Sequence, residues 1–221
     1  MMVEKEFRGM KYLITEPEAA DQKYPVILLL HGAGTRSDNT EKLRGGIYFA
    51  YTQSLPDFPF LTVAPLCSEN TWFDMMDELK GLVSYVAALP FVDARRIYAM
   101  GASMGGYGVW QLAMSMPQSF AAIVPVCGGG MYWNAARLKA VPVWAFHGAR
   151  DKTVLVEESI KMVEKVNAAG GNAKLTVYPE NFHDAWTDTY TDPKVYSWLL
   201  EHSCAGMGPS ADGYDDAVKF G

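Results

Sequence analysis

The stretch that most constrains this chain is Gly101-Ala102-Ser103-Met104-Gly105. Before it stands Arg96-Ile97-Tyr98-Ala99-Met100, an apolar run suited to a buried strand, and after it Gly106 to Met114 suits a helix with small residues in its first turn. A G-x-S-x-G pattern alone is a weak signal. Between a strand and a helix it describes a strained turn that pushes the serine hydroxyl into the open, with glycine two places before and after because side chains there would collide with neighbouring backbone.

The rest of the chain supplies a sheet for that turn. Tyr24 to Leu30, Pro59 to Pro65, Phe120 to Val126, Val141 to Phe146 and Ala173 to Tyr178 read as further strands. Their continuous apolar runs suit strands covered on both faces. Val3 to Arg8 and Met10 to Glu16, parted by Gly9, suggest an antiparallel hairpin at a sheet edge. Between the strands, Met76, Leu79, Val83 and Val86 recur at helical spacing, with Asp74 placed to cap that helix. A second helix, Leu155 to Ala169, would bury Val156, Ile160, Val163 and Val166 and close at Gly170-Gly171. A last helix runs from Pro193 to His202, while 35–58 yields only a short helix or two in irregular chain. Strands alternating with helices predict an α/β fold, a mostly parallel central sheet of about eight strands with helices on both faces.

The 221 residues, 49% of them hydrophobic, are enough for one large core, so a single domain over 1–221 is expected, its core at about 10–203 and a Gly/Asp/Ser-rich tail at 204–221. A net charge of -6 favours neither nucleic acid nor an anionic membrane as partner. The N-terminus is charged where a signal peptide would be apolar, so a soluble, cytoplasmic protein is expected. Cys67, Cys127 and Cys204 are too few and too scattered for a disulfide framework or a zinc site, and no metal or cofactor is implied. Monomer and homodimer are both compatible with the sequence.

A serine hydroxyl is a poor nucleophile near neutral pH and needs a base, with an acid to hold that base in the right tautomer. Four histidines are available. His202 falls in the last helix, and His31 and His147 each precede a glycine at a strand end, where an imidazole ties down loop backbone. His183, in the irregular stretch after the last strand, emerges at the same sheet edge as Ser103 and is the candidate base. Asp151, in the turn after the strand ending at Phe146, is the candidate acid. Asp184 is adjacent to His183 and badly placed to face its ring, and Asp188 and Asp192 read as turn or cap residues. The oxyanion formed on attack needs fixed N–H donors, expected from Met104 at the head of the helix and from Ala33, or else Gly34, in the Gly32-Ala33-Gly34 turn.

Four motifs in order, His31-Gly32-Ala33-Gly34, Gly101 to Gly106, His147 to Asp151 and His183-Asp184-Ala185-Trp186, make the chain resemble the α/β-hydrolase superfamily. More narrowly it is similar to the compact bacterial esterases, a group holding feruloyl and acetylxylan esterases, polyhydroxybutyrate-depolymerase-like proteins, dienelactone hydrolase and prolyl-oligopeptidase-type peptidases. The resemblance covers about residues 10–203 and has the chain order Ser, Asp, His. It implies Ser103 as nucleophile, Asp151 as acid, His183 as base, Ala33 and Met104 as oxyanion donors, and a small-molecule ester as substrate. Dienelactone hydrolases carry cysteine as nucleophile, so Ser103 argues against that branch.

Gly128 to Ala140 is 13 residues, too short for a cap domain, and predicts an open site. Trp72 and Trp133 are the expected walls of an aromatic cleft, whereas Trp186 and Tyr107 either line it or pack beneath the loops. A peptidase or amidase, and a ligand-binding protein that keeps the fold without the chemistry, are the alternative functions.

Overall fold

The computed structural model describes residues 2–17 and 22–205, so most of the expected tail, 206–221, and part of the polar turn before Tyr24 lie outside the described residues. Eight strands form one sheet: β1 (Met2–Phe7), β2 (Met10–Thr15), β3 (Tyr24–Leu30), β4 (Leu61–Pro65), β5 (Val92–Ala102), β6 (Ala122–Val126), β7 (Val143–Gly148) and β8 (Ala173–Tyr178). Their order is β1-β2-β4-β3-β5-β6-β7-β8. The β1/β2 and β2/β4 pairs are antiparallel, and every neighbouring pair from β4 to β8 is parallel.

The period-two alternation of side chains sorts the apolar runs onto two faces. In β3, Val26, Leu28 and Leu30 join one core, and Ile27 and Leu29 the other. Helices α3 (Met76–Ala87), α4 (Met104–Ser115) and α5 (Val156–Ala168) cover the first face. The second is covered by α1 (Glu41–Arg44), α2 (Ile47–Gln53), α6 (Trp186–Thr191) and α7 (Pro193–Leu200). From β3 the chain crosses one way to β4, and from β5 the other way to β6, so a crevice opens between the carboxyl ends of β3 and β5. Among the described residues no helix is long and apolar enough to cross a membrane.

Local differences from the sequence reading have physical reasons. Asp74 does not cap α3: its carboxylate accepts from the N–H and hydroxyl of Thr71, and Met75 takes the N-cap place. The strand before Ser103 begins at Val92, not Arg96, because Val92 already pairs with Tyr24; the polar Asp93–Arg96 stretch, with its Arg96–Asp93 ion pair at 2.7 Å, lies in the register shift before pairing resumes at Ile97. The inward face of α5 is Ser159, Met162 and Val166, so a hydroxyl hides one of its core positions from an apolar count. His202 follows α7 and packs edge-on against Trp198. Residues 128–140 hold one seven-residue 3-10 helix, Tyr132–Leu138, and no cap.

Candidate active site

Ser103 is the hinge between β5 and α4, with φ 55° and ψ -119°. A non-glycine residue held there stores about 1–3 kcal/mol and persists only where its surroundings over-determine it. The Ser103 N–H donates to Val126 O at 2.9 Å, and its carbonyl accepts from Tyr107 at 3.0 Å. Gly105 allows α4 to pass against β3, since a Cβ there would lie 2.0 Å from Leu30 O.

Asp151 leaves the carboxyl end of β7 and His183 leaves that of β8. Gly148 lets the two turns touch: a Cβ on it would lie 2.1 Å from Phe182 O, and Arg150 N donates to Asn181 O at 2.9 Å. In consequence His183 Nδ1 donates to Asp151 Oδ2 at 2.6 Å, and Ser103 Oγ meets His183 Nε2 at 2.8 Å. Three residues far apart in sequence thus form one hydrogen-bonded line. The other Asp151 oxygen accepts from Thr153 N at 2.9 Å and Val154 N at 3.0 Å. Burial works against ionisation of this carboxyl, but the bonds from His183, Val154 and Thr153 together hold it below its ordinary value. The ring of Trp186 stands edge-on to His183, 5.4 Å between centroids.

His31 organises the turn that carries Ala33. Its Nδ1 donates to Gly32 O at 2.8 Å while Nε2 accepts from Cys67 N at 2.9 Å, a pairing that requires the neutral ring, and burial lowers its pKa accordingly. Ala33 opens a short 3-10 helix and Met104 opens α4, so neither N–H has an acceptor within its own helix.

Ser103, His183, Ala33 and Gly34 line a cleft of about 480 Å³ that runs over the second face of the sheet. Its other walls include Lys42, Leu43, Ile47, Tyr48 and Phe49 from the 35–58 segment, with Thr153, Trp186 and Tyr190. The two aromatics chosen as walls are elsewhere. Trp72 is 0% exposed: its indole N–H donates to His31 O at 3.0 Å and its ring packs on His31, so it holds the turn from below. Trp133 is 71% exposed and pairs edge-on with Tyr132, away from the cleft. Trp186 lines the cleft and Tyr107 does not. One signal for the missing wall was available, the Trp186/Tyr190 spacing of four, which places both on one helix face.

Among the described residues, Cys127, His147 and Asp151 bring potential metal-ligand atoms within 4.8 Å of one another. Their chemistry is already committed. His147 Nε2 lies 2.9 Å from Val154 O and 3.4 Å from Asp151 Oδ2, both acceptors, so it carries a proton rather than a free lone pair. Its Nδ1 meets Ser159 Oγ at 2.8 Å, and burial pushes the Cys127 thiol up to about 12. These residues form a hydrogen-bonded backing for Asp151 and do not fit a metal.

The fold has known counterparts. A thermostable esterase of solved structure is 30% identical, with 92% of this chain and 63% of that one covered at a TM-score of 0.78. Est1E from Butyrivibrio proteoclasticus shares the fold at 18% identity and a TM-score of 0.69, over 90% of this chain and 98% of that one. Dipeptidyl-peptidase 5 of Porphyromonas gingivalis is 24% identical over 131 residues, 42% of this chain and 19% of the peptidase. The chain therefore spans about a fifth of that curated relative and about three-fifths of the thermostable esterase. The fold is that of the α/β-hydrolases. The dienelactone hydrolase family model matches residues 62–197, a span that reaches far beyond the one position where Ser103 had argued against that branch. On that match, which takes in the Ser103, Asp151 and His183 turns together, the chain belongs to the dienelactone hydrolase family.

Proposed function

We propose that the protein is a serine carboxylic ester hydrolase working through an acyl-enzyme on Ser103. The observation that carries this reading is the unbroken hydrogen-bonded line from Asp151 through His183 to Ser103, ending in a cleft. As Ser103 Oγ bonds to the ester carbonyl carbon, His183 Nε2 takes the hydroxyl proton. Asp151 holds the Nδ1–H and stabilises the imidazolium. The oxyanion accepts from the N–H groups of Met104 and Ala33, each such donor being worth about 3 kcal/mol in the transition state. His183 then passes its proton to the departing alkoxide, and water repeats the sequence to release the acid. The apolar walls favour short-chain, acetyl or aryl esters of feruloyl-like size, and the resemblance to a thermostable esterase agrees with ester cleavage.

The test is intact-mass analysis after fluorophosphonate treatment, run beside p-nitrophenyl acetate, butyrate and octanoate and methyl ferulate. One adduct on Ser103 is expected, with turnover that falls by about 10⁴-fold or more in Ser103→Ala. A protein that takes no adduct and turns over none of these esters overturns the reading. The likeness to part of dipeptidyl-peptidase 5 favours a second reading, amide cleavage. Hydrolysis of aminoacyl anilides faster than of the esters would establish it.

A further inference from the structure

Tyr190 differs from the other buried tyrosines of the second face. Tyr48 Oη meets Thr62 Oγ1 at 2.8 Å, Tyr196 Oη donates to Tyr190 O at 2.7 Å, and Tyr98 Oη donates to His202 O at 2.8 Å. The Tyr190 hydroxyl has no hydrogen-bond partner among the described residues, although the residue is only 5% exposed and its ring is fixed edge-on against Tyr48 at 5.8 Å. Nor is the hydroxyl sealed in. Among the described residues the fully buried side-chain atoms without partners are Trp110 Nε1, Ser119 Oγ and His202 Nε2, whereas Tyr190 lines the cleft beside Trp186.

An unpartnered donor on a cleft wall gains about 0.5–1.5 kcal/mol when a ligand oxygen takes it, so a phenol lining a mostly apolar cleft, whose rim also carries Lys42 and Thr153, is matched by what enters it. Burial raises the Tyr190 pKa far above its ordinary value, which makes the hydroxyl a neutral donor at any working pH. None of the described residues lining the cleft is an aspartate or glutamate, so no neighbouring carboxylate competes for that proton. Trp186, one turn earlier on α6, lines the cleft beside it, and its indole N–H has no acceptor among the described residues.

We propose that Tyr190 is a specificity-determining residue whose hydroxyl donates to a neutral acceptor oxygen, keto or ether, carried by the otherwise apolar substrate group seated in the cleft. The proposal rests on the ester-hydrolase reading and narrows it to esters with such an oxygen in their acyl or alcohol part.

The experiment compares matched pairs in which oxygen-bearing and oxygen-free esters have nearly the same shape: p-nitrophenyl 4-oxopentanoate against pentanoate, and 2-methoxyethyl acetate against butyl acetate. In the unaltered protein one pair should favour its oxygen-bearing member in kcat/KM by about threefold to tenfold, the range of a single neutral hydrogen bond. In Tyr190→Phe, which keeps the ring against Tyr48 and removes a hydroxyl that holds no protein group, that ratio should collapse to about one. A ratio that survives in the variant, or that is absent from both pairs, overturns the proposal. Calorimetric titration of the same pairs into Ser103→Ala protein, with and without Tyr190→Phe, reads the preference without turnover. A Tyr190-dependent binding preference in a protein that cleaves no ester supports the role of Tyr190 and overturns the hydrolase reading. Cleavage without any such preference overturns the role of Tyr190 alone, and the absence of both overturns both.

Discussion

The two faces of the sheet are built differently. The first is covered by three helices of 12, 12 and 13 residues whose buried positions are mainly aliphatic or methionine, such as Leu79, Leu82 and Val86 in α3 and Met162 and Val166 in α5. The second is covered by helices of 4, 7, 6 and 8 residues, and rings take a larger share of its core: Tyr48, Phe49, Phe60, Tyr98, Phe146, Tyr190 and Tyr196, against Tyr12, Trp72, Trp110 and Phe120 in the larger first core. Long amphipathic helices with adaptable side chains interdigitate with the sheet at the density of a crystal. Rings prefer edge-to-face contacts, as Tyr48 makes with Phe49, Phe58 and Tyr190. The cleft is lined from this ring-rich face, while the elbow helix α4 packs on the first. One face holds Ser103 in place, and the other shapes what Ser103 can meet.

Three measurements test this contrast. The largest effect is expected on the first face. Leu79→Ala, at a fully buried position, should cost about 2–5 kcal/mol in urea unfolding and leave the order of preference among acetate, butyrate and octanoate esters as it was. A changed order would mean that the dense face also shapes the cleft. Next, Ile47→Ala removes a wall side chain that is 37% exposed. Stability should fall by less than about 1 kcal/mol. Meanwhile kcat/KM for the best-fitting ester should drop about tenfold. A large stability loss with unaltered selectivity would put Ile47 in the core rather than the cleft.

The smallest effect concerns His31, which joins the two faces through the turn of Ala33. Its pKa is lowered in the folded protein, chiefly by burial, with the Arg36 cation adding to this against the bond to Gly32 O. Above about pH 6.5 the ring is neutral whether the chain is folded or not, and its contribution to stability is complete. As pH falls through that value the unfolded chain takes up the proton first, so stability declines down to the folded-state pKa. Urea titrations from pH 7.5 to about 5 should show this decline, and His31→Gln should lack that part of it. Equal slopes in both proteins would show that the imidazole is not held neutral.

Much of the first face, and the hydrogen-bonded line Asp151–His183–Ser103, was legible in the sequence. Apolar runs marked the strands, glycines marked where backbones meet around Ser103, and Ser103, Asp151 and His183 stood at strand ends that a parallel sheet brings to one edge. The cleft was not legible. Trp72 and Trp133 have the composition of wall residues, but the indole N–H of Trp72 finds an acceptor in His31 O and draws the ring into the core, while Trp133 projects from a 3-10 helix with only Tyr132 beside it. The real walls come from α2 and α6, helices too short for periodicity to announce. Gly148 read as part of a motif, and its role in letting the 181–182 backbone approach appears only when two turns distant in sequence are seen in contact.

The strand-turn-helix pattern, the mostly parallel character of the sheet and the candidates Ser103, His183 and Asp151 follow from sequence alone, because each depends on local periodicity, on glycine where backbones meet, and on residue chemistry. Tertiary structure alone decided which tryptophan is buried, which tyrosine hydroxyl is left without a partner, and where the cleft runs. Those outcomes depend on which polar atoms find partners across the fold, and sequence spacing carries no record of that pairing.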